Sequence, residues 1–175
     1  MEQDASNTAR VGISACLLGR RVRYDGRDKR DPLITETLGQ YFEWLPVCPE
    51  VELGLPVPRN RIQLELHGEE TRLIMPATGD DLTDSMHSYA AARVERLAEA
   101  KIDGYIFKSR SPSCGIEGVE LWLPSGECTK GGVGLFVAIL RERLPELPIE
   151  QDDRLHDPSL RERWLKRVLA RRRVR

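Results

Sequence analysis

The sequence predicts an α/β fold: a three-layer, mainly parallel, Rossmann-like sheet with helices on both faces and a small β-hairpin insertion. Two observations predict it. Short apolar runs at residues 11–15, 44–47 and 104–107 have the length of buried strands, and a helical pattern lies between the first two. A strand, a helix and a strand in this order favour a right-handed crossover and a parallel sheet. At 175 residues, the chain is long enough for one domain with a substantial core.

The composition is that of a globular protein. The formal net charge is -1 and aromatic residues make up 6% of the chain, which excludes collagen-like, disordered and membrane-embedded classes. The opening segment MEQDASNTAR is polar and lacks the apolar core of a signal peptide, and no run approaches the roughly 20 apolar residues of a membrane-spanning helix. We therefore expect a flexible tail at residues 1–9, a single domain at residues 10–175, a cytoplasmic location and no membrane contact. A monomer and a homodimer both remain open.

The first part of the chain predicts a strand, a helix and a second strand. After the strand at residues 11–15, Asp31 is suited to be a helix N-cap and Pro32 to occupy the first helical position. The apolar face expected for this helix consists of Leu33, Thr37, Leu38 and Tyr41. The helix returns the chain to the second strand, at residues 44–47.

Local patterns predict the remaining elements. Residues 62–66 and 71–75 alternate apolar and polar side chains around a turn, which predicts a β-hairpin covering an edge of the sheet. The other expected elements are a long helix from residue 78 to about residue 100, strands at residues 104–107, 119–123 and 147–149, a glycine-rich turn at residues 131–134 that precedes a helix, and a last helix capped by Asp157. His67 in the hairpin turn and His87 on the polar side of the long helix are expected to be solvated.

Three of the four cysteines each follow the end of an apolar run, beside glycine or proline: Cys16, Cys48 and Cys114. In a parallel sheet the carboxyl ends of the strands share one crevice, where ligands bind. A single free cysteine is more often a small buried apolar residue. Three cysteines at strand ends are better explained as ligands of one centre. Disulfides are rare in a reducing compartment, which also favours metal ligands over disulfide bonds. Cys128 lies next to a turn with no second ligand nearby, and we expect it to take no part.

The residue types around these cysteines favour an iron-sulfur cluster. A structural zinc site takes four ligands, often in close cysteine pairs, and the chain contains no Cys-x2-Cys pair. Three thiolates suit a 4Fe-4S cluster with one iron left open, which acts as a Lewis acid. Glu50, two residues after Cys48 in a loop rich in proline and glycine, is the carboxylate best placed for general acid or base catalysis. Arg59, at the end of this loop, is better suited to a structural or oxyanion contact.

Two phosphate-binding patterns are excluded by register. A Cys-x5-Arg phosphatase loop requires arginine six residues after the cysteine, but the chain has Val22 after Cys16 and Glu120 after Cys114. The glycine-rich segment at residues 125–134 contains no GxxxxGKS motif, so nothing supports a nucleotide-binding P-loop.

The segments GISACLLGRRVRYDG, PVCPEVELGLPVPR and KSRSPSCG resemble, in this order and at roughly these distances, the small bacterial family that includes 2-thiouracil desulfurase. The resemblance implies a 4Fe-4S cluster held by Cys16, Cys48 and Cys114. It also implies hydrolytic, non-redox desulfuration of a thiolated pyrimidine base or nucleoside, in which the open iron takes the thiocarbonyl sulfur. By the same analogy Glu50 and Ser111 handle protons at the attacked carbon. Ser109 and Asp25 are weaker candidates for that work.

The competing hypothesis is a metal- or redox-sensing module that uses the same three cysteines. Residues 161–175 carry eight basic residues and one acidic residue, a net charge of +7 that leaves -8 on the rest of the chain. Such a segment can contact a nucleic-acid backbone. We favour a solvated amphipathic helix with Leu160, Trp164 and Val168 facing the core. The hydroxyls and Glu50 around the cysteines favour catalysis, since a sensor needs neither.

Overall fold

The computed structural model describes residues 8–174. Residues 1–7, most of the segment expected to be a tail, lie outside the described residues. The first strand begins at Ala9, earlier than predicted, and Ala9 is buried.

The described part of the chain contains nine strands and four α-helices. In chain order they are β1 (Ala9–Ser14), β2 (Phe42–Val47), α1 (Pro49–Glu52), β3 (Gln63–His67), β4 (Glu70–Met75), β5 (Asp80–Asp81), α2 (Thr83–Glu99), β6 (Gly104–Phe107), β7 (Val119–Trp122), β8 (Cys128–Gly132), α3 (Leu135–Arg143), β9 (Ile149–Gln151) and α4 (Pro158–Arg173). A 3-10 turn at Ala15–Leu18 follows β1, a π-helical segment at Leu33–Leu38 precedes β2, and a second 3-10 turn at Arg154–His156 precedes α4.

A four-stranded parallel sheet forms the centre, in the order β2-β1-β6-β9. One face packs against α2 and α3 through side chains such as Val94, Phe107 and Phe136. The other face packs against α4 and the π-helical segment through Ile34 and Trp164, among others. This arrangement confirms the predicted α/β class with helices on both faces of a parallel sheet.

The predicted β-hairpin exists, but its place in the fold differs from the expectation. β3 and β4 do not cover an edge of the parallel sheet; they belong to a second sheet of order β5-β4-β3-β7-β8. Leu64 and Leu73 of this sheet pack with Met86 of α2 and Leu135 of α3. Strand pairing of β3 with β7 joins segments far apart in the chain, which a local pattern does not encode.

Other elements differ from the prediction mainly at their ends. Asp31 accepts the N–H of Leu33, as its capping position predicts, but the π-helical geometry buries Ile34 and Leu38 and leaves Tyr41 59% exposed. The long helix starts at Thr83 because residues 80–81 form β5. Part of the predicted glycine turn belongs to β8, whose first residue is the exposed Cys128.

The final helix has the predicted amphipathic character. The Asp157 side chain accepts the N–H groups of Ser159 and Leu160, and Trp164 and Val168 are buried against the sheet. None of the helices within residues 8–174 is long and apolar enough to cross a membrane.

Candidate active site

Three neighbouring parallel strands deliver the three cysteines to the same edge of the sheet. Cys16 lies in the turn after β1, Cys48 directly follows β2, and Cys114 lies in the loop after β6. All three are free thiols and line one cavity of about 610 Å³. Cys16 and Cys114 are only 8% and 4% exposed. The structure therefore brings together the three residues that the strand-end pattern singled out.

Hydrogen bonds to Ser111 stabilise the loop that carries Cys114. Ser111 Oγ accepts the backbone N–H of Ser113 at 3.3 Å and that of Cys114 at 3.1 Å, and the Ser111 carbonyl accepts the N–H of Gly115 at 2.8 Å. A Cβ atom on Gly115 would lie 2.3 Å from the Val119 side chain and 2.9 Å from the Ser111 carbonyl oxygen. The tight turn therefore requires glycine after the cysteine.

The first turn of α3 packs directly on the same loop. The N–H groups of Leu135 and Phe136 donate to the carbonyls of Pro112 and Ser113 at 3.2 Å and 3.1 Å. A Cβ on Gly134 would lie 2.4 Å from the Ser113 carbonyl. The glycine-rich segment thus serves close packing of a helix end against the cysteine loop, and these N–H groups are occupied by protein carbonyls.

Glu50 is buried in the cavity wall beside Cys48, with 8% exposure. Ser113 Oγ donates to its Oε1 at 2.8 Å, the Cys48 thiol lies 3.6 Å from its Oε2, and Arg59 Nη2 lies 4.0 Å from Oε2. Arg59 also donates to the carbonyl of Val22 at 3.0 Å, so it ties the loop after β1 to the carboxylate. The carboxylate has a fixed position with one oxygen toward Ser113 and the other toward the thiol.

The electrostatics of the thiols follow from burial. Burial, more than the neighbouring arginine and lysine, sets the pKa of Cys16, which rises to about 11. Burial and the charge of Glu50 raise the pKa of Cys48 to about 12. The pKa of Cys114 is raised well above its ordinary value by burial, by Glu50 and by the other two thiols. Thiols whose pKa values are raised in this way are costly to ionise unless a cation compensates their charge.

A polar cluster of Lys108, Ser109 and Asp152 forms another part of the cavity wall. Lys108 Nζ donates to Asp152 Oδ2 at 2.7 Å and to Ser109 Oγ at 2.9 Å, and the Ser109 N–H donates to Asp152 Oδ1 at 2.7 Å. Lys108 directly follows β6 and Asp152 directly follows β9, its neighbour in the sheet.

Comparison with known proteins identifies the family. The model of the 2-thiouracil desulfurase family matches residues 11–152, a range that includes all three cysteines as well as Glu50, Lys108 and Asp152. The chain belongs to the 2-thiouracil desulfurase family. The resemblance inferred from the three cysteine segments is confirmed.

Two further proteins are similar to this family member. A solved structure of a 4Fe-4S-dependent thiouracil desulfidase, TudS, superposes with a TM-score of 0.68 at 31% identity, covering 87% of this chain and 95% of that one. The uncharacterised protein YbbK of Bacillus subtilis strain 168 is 28% identical, covering 74% of this chain and 88% of YbbK.

The donor set of this desulfurase-family chain is compatible with an iron-sulfur cluster. Within residues 8–174 no three His, Cys, Asp or Glu side chains come close enough together to hold one metal ion. Three soft thiols around a cavity, with no histidine among the described residues that line it, are the donors that iron-sulfur clusters use.

The other predicted site residues have different positions. Ser111 and Ser109 line the cavity. Asp25 is exposed and is absent from the described residues that line it. A hydrogen bond from the N–H of Arg27, followed by the charge of Arg23, lowers the pKa of Asp25. Asp25 therefore shapes the loop after β1 and pairs at 3.7 Å with Arg23, which does line the cavity.

Sequence reasoning missed two members of this desulfurase-family site. Ser113 holds Glu50 from within the segment KSRSPSCG, and Asp152 holds Lys108. Asp152 follows a parallel strand directly, so the rule that singled out the cysteines also applies to it. Nothing in the sequence distinguishes Ser113 from its neighbouring serines.

Proposed function

We propose that the chain is an iron-sulfur-dependent desulfurase that hydrolyses the thiocarbonyl group of a thiolated pyrimidine base or nucleoside without redox chemistry. The observation that carries this proposal is the meeting of three free thiols and one buried carboxylate in a single cavity at the edge of the parallel sheet. Family membership and the similarity to a 4Fe-4S-dependent thiouracil desulfidase support it. Free thiols and a cluster of this kind persist in a reducing compartment, which favours the cytoplasm.

Cys16, Cys48 and Cys114 are the proposed ligands of the cluster. When bound, a 4Fe-4S cluster with three cysteine ligands supplies an open iron, a soft Lewis acid suited to the thiocarbonyl sulfur. The overall reaction replaces C=S by C=O and releases hydrogen sulfide, with water as the only co-reactant and no net electron transfer.

Glu50 is the proposed base that takes a proton from the attacking water. Ser113 Oγ holds Oε1 of the carboxylate at 2.8 Å. Oε2 lies beside the Cys48 sulfur, and a deprotonated ligand cysteine has no proton to donate to it. Oε2, with Arg59 Nη2 4.0 Å away, is then the oxygen proposed to take the proton of the water.

Ser111 is the proposed donor to the substrate. Its Oγ accepts two backbone N–H groups, so its hydroxyl proton is directed away from them. Among the described residues it donates to no protein acceptor, and it lines the cavity. For Ser109, whose Oγ accepts a hydrogen bond from Lys108 Nζ, we propose a role in positioning that lysine in the cavity wall. For Asp25 we propose a role in positioning Arg23.

The test is anaerobic purification followed by an iron and sulfide assay and incubation with 2-thiouracil. We expect about four irons per chain, loss of thiouracil absorbance and release of sulfide without added reductant. Cys16→Ala, Cys48→Ala and Cys114→Ala should each lose the visible chromophore and the activity, whereas Cys128→Ala keeps both because Cys128 is exposed on β8. A full cluster in any of the first three variants would rule out the ligand assignment.

A further inference from the structure

The ion pair between Lys108 and Asp152 lines the cavity but has no part in the chemistry proposed above. The two side chains are only 17% and 12% exposed, and their charged atoms lie 2.7 Å apart. Burying such a pair costs desolvation, and apolar residues of similar size often serve stability as well. Its location on a substrate-sized cavity therefore calls for a function beyond packing.

Both partners are held rigidly. The backbone N–H of Lys108 donates to Ser14 Oγ at 2.9 Å, at the end of β1. The N–H of Ser109 donates to Asp152 Oδ1 at 2.7 Å, and the N–H of Asp152 donates to the carbonyl of Phe107 at 3.0 Å. Three parallel strands thus fix the two charged groups relative to the cysteines on the neighbouring strand ends.

The pair retains hydrogen-bonding capacity. An ammonium group has three protons, and Lys108 uses two of them, on Asp152 and Ser109. A carboxylate accepts about four hydrogen bonds, and the contacts described here occupy two of those on Asp152. A donor and an acceptor therefore stand side by side at the cavity wall.

This side-by-side pattern is complementary to an amide edge, in which a carbonyl oxygen accepts and the adjacent N–H donates. A monothiolated uracil ring keeps one carbonyl, and in both the 2-thio and the 4-thio isomer that carbonyl stands next to N3–H. Holding that edge orients the ring in its plane and so directs the sulfur toward one side of the cavity. A charge-assisted pair is suited to this task because hydrogen bonds to charged groups are the stronger ones.

We propose that Lys108 and Asp152 bind the carbonyl and N3–H edge of the thiolated pyrimidine, with Lys108 Nζ donating to the carbonyl oxygen and Asp152 Oδ2 accepting from N3–H. This assignment rests on the proposed desulfurase function and narrows its substrates to rings that keep an unsubstituted N3–H beside a carbonyl. Lys108 and Asp152 are then specificity-determining residues.

The test is equilibrium titration of the cluster-loaded protein with uracil and with 3-methyluracil, neither of which has a sulfur to remove. The wild-type protein should bind uracil at least about tenfold more tightly than 3-methyluracil. In Lys108→Met and in Lys108→Met/Asp152→Asn, uracil affinity should fall about 10- to 100-fold, as expected for the loss of a hydrogen bond to a charged group. The preference for uracil over 3-methyluracil should shrink in the first variant and disappear in the second.

Lys166→Met is the matched control, since Lys166 is an exposed lysine on α4 that pairs with the exposed Glu162. It should leave both affinities unchanged. Iron content and thermal unfolding of every variant show whether cluster and fold are intact. Desulfuration gives a second readout: KM for 2-thiouracil should rise in Lys108→Met, and the preference for 2-thiouracil over 3-methyl-2-thiouracil should decrease.

The assignment is overturned if the wild-type protein does not distinguish uracil from 3-methyluracil, or if the double variant keeps the wild-type preference. A purely structural pair would weaken both ligands equally, which also overturns it. Failure of the desulfurase proposal has a different signature: the cluster-loaded wild-type protein releases no sulfide from 2-thiouracil, whatever the uracil titrations show.

Discussion

Single residues at the ends of parallel strands make up the candidate site. Cys16, Cys48, Cys114 and Glu50 are predictable from the sequence because each stands next to the end of a recognisable apolar run. Ser113 is not, since its importance comes from contact with Glu50, which is remote in the chain and supplied by another strand end.

Glu50→Gln should keep the cluster and lose turnover. The amide cannot take a proton from water, and removal of a general base typically costs about 10²- to 10⁴-fold in rate. Iron content and visible absorption report the cluster, and sulfide release reports kcat. Glu69→Gln, at the exposed turn between β3 and β4, is the control that should leave kcat unchanged. Undiminished turnover in Glu50→Gln would refute the role of the carboxylate.

Ser113→Ala should lower kcat about tenfold or more by releasing Oε1 of Glu50, because a hydrogen bond to a carboxylate stabilises by about 1.5–3 kcal/mol. Ser113 acts through Glu50, so the two substitutions should not be additive. The measurement is kcat in the single variants and in the double variant. If Ser113→Ala slows the Glu50→Gln enzyme as much as it slows the wild type, the serine acts independently of the carboxylate.

At the scale of elements, helix α3 and the loop after β6 form one unit. The first N–H groups of the helix are bonded to loop carbonyls, and Gly134 lets the two backbones approach. The sequence predicts the helix and the loop separately but not their contact. The same reason explains the second sheet. The hairpin of β3 and β4 is visible in the pattern, whereas the other partner of β3 is β7, more than fifty residues away.

Gly134→Ala should destabilise this unit. The added methyl group would meet the Ser113 carbonyl at 2.4 Å, and overpacking of this kind costs about 1–3 kcal/mol. Urea unfolding measures the loss of stability, and iron content after reconstitution reports whether Cys114 is still presented. Gly131→Ala is the matched control, because its Cβ would have its nearest contact at 3.7 Å, and the free energy of unfolding should change by less than about 0.5 kcal/mol. Equal stability of the two variants would contradict the packing argument.

On the scale of the whole molecule, the described residues form two sheets, with helices packed on both faces of the parallel one. The sequence predicts the three-layer parallel part, because strands buried on both faces and crossover helices leave a clear pattern. It does not predict that β3, β4, β7, β8 and the short β5 form a second sheet, because this depends on which strands pair across long distances in the chain. The charge pattern of the basic last helix is typical of a nucleic-acid contact, but its buried side chains, Trp164 and Val168, show that the helix covers the sheet.

Trp164→Ala should therefore cost global stability. Trp164 is 2% exposed, and its indole N–H donates to the Pro148 carbonyl at 3.2 Å. Truncation of a buried tryptophan costs about 3–5 kcal/mol, which urea unfolding resolves. Leu169→Ala, on the exposed side of the same helix, should change the free energy of unfolding by about 0.5 kcal/mol or less. A small effect of Trp164→Ala would mean that α4 is not part of the cooperative core.

The strand order also determines when the site becomes complete during synthesis. The cavity wall draws on residues from Ser14 to Asp153, and β6, which carries the Cys114 loop, lies between the first and the last strand of the chain. A nascent polypeptide on the ribosome exposes Cys16 and Cys48 long before Lys108 and Asp152 have emerged. Iron and sulfide delivered at that stage would meet two of the three proposed ligands on an unfinished chain, so with the proposed ligand set we expect cluster assembly to wait at least until Cys114 has left the exit tunnel.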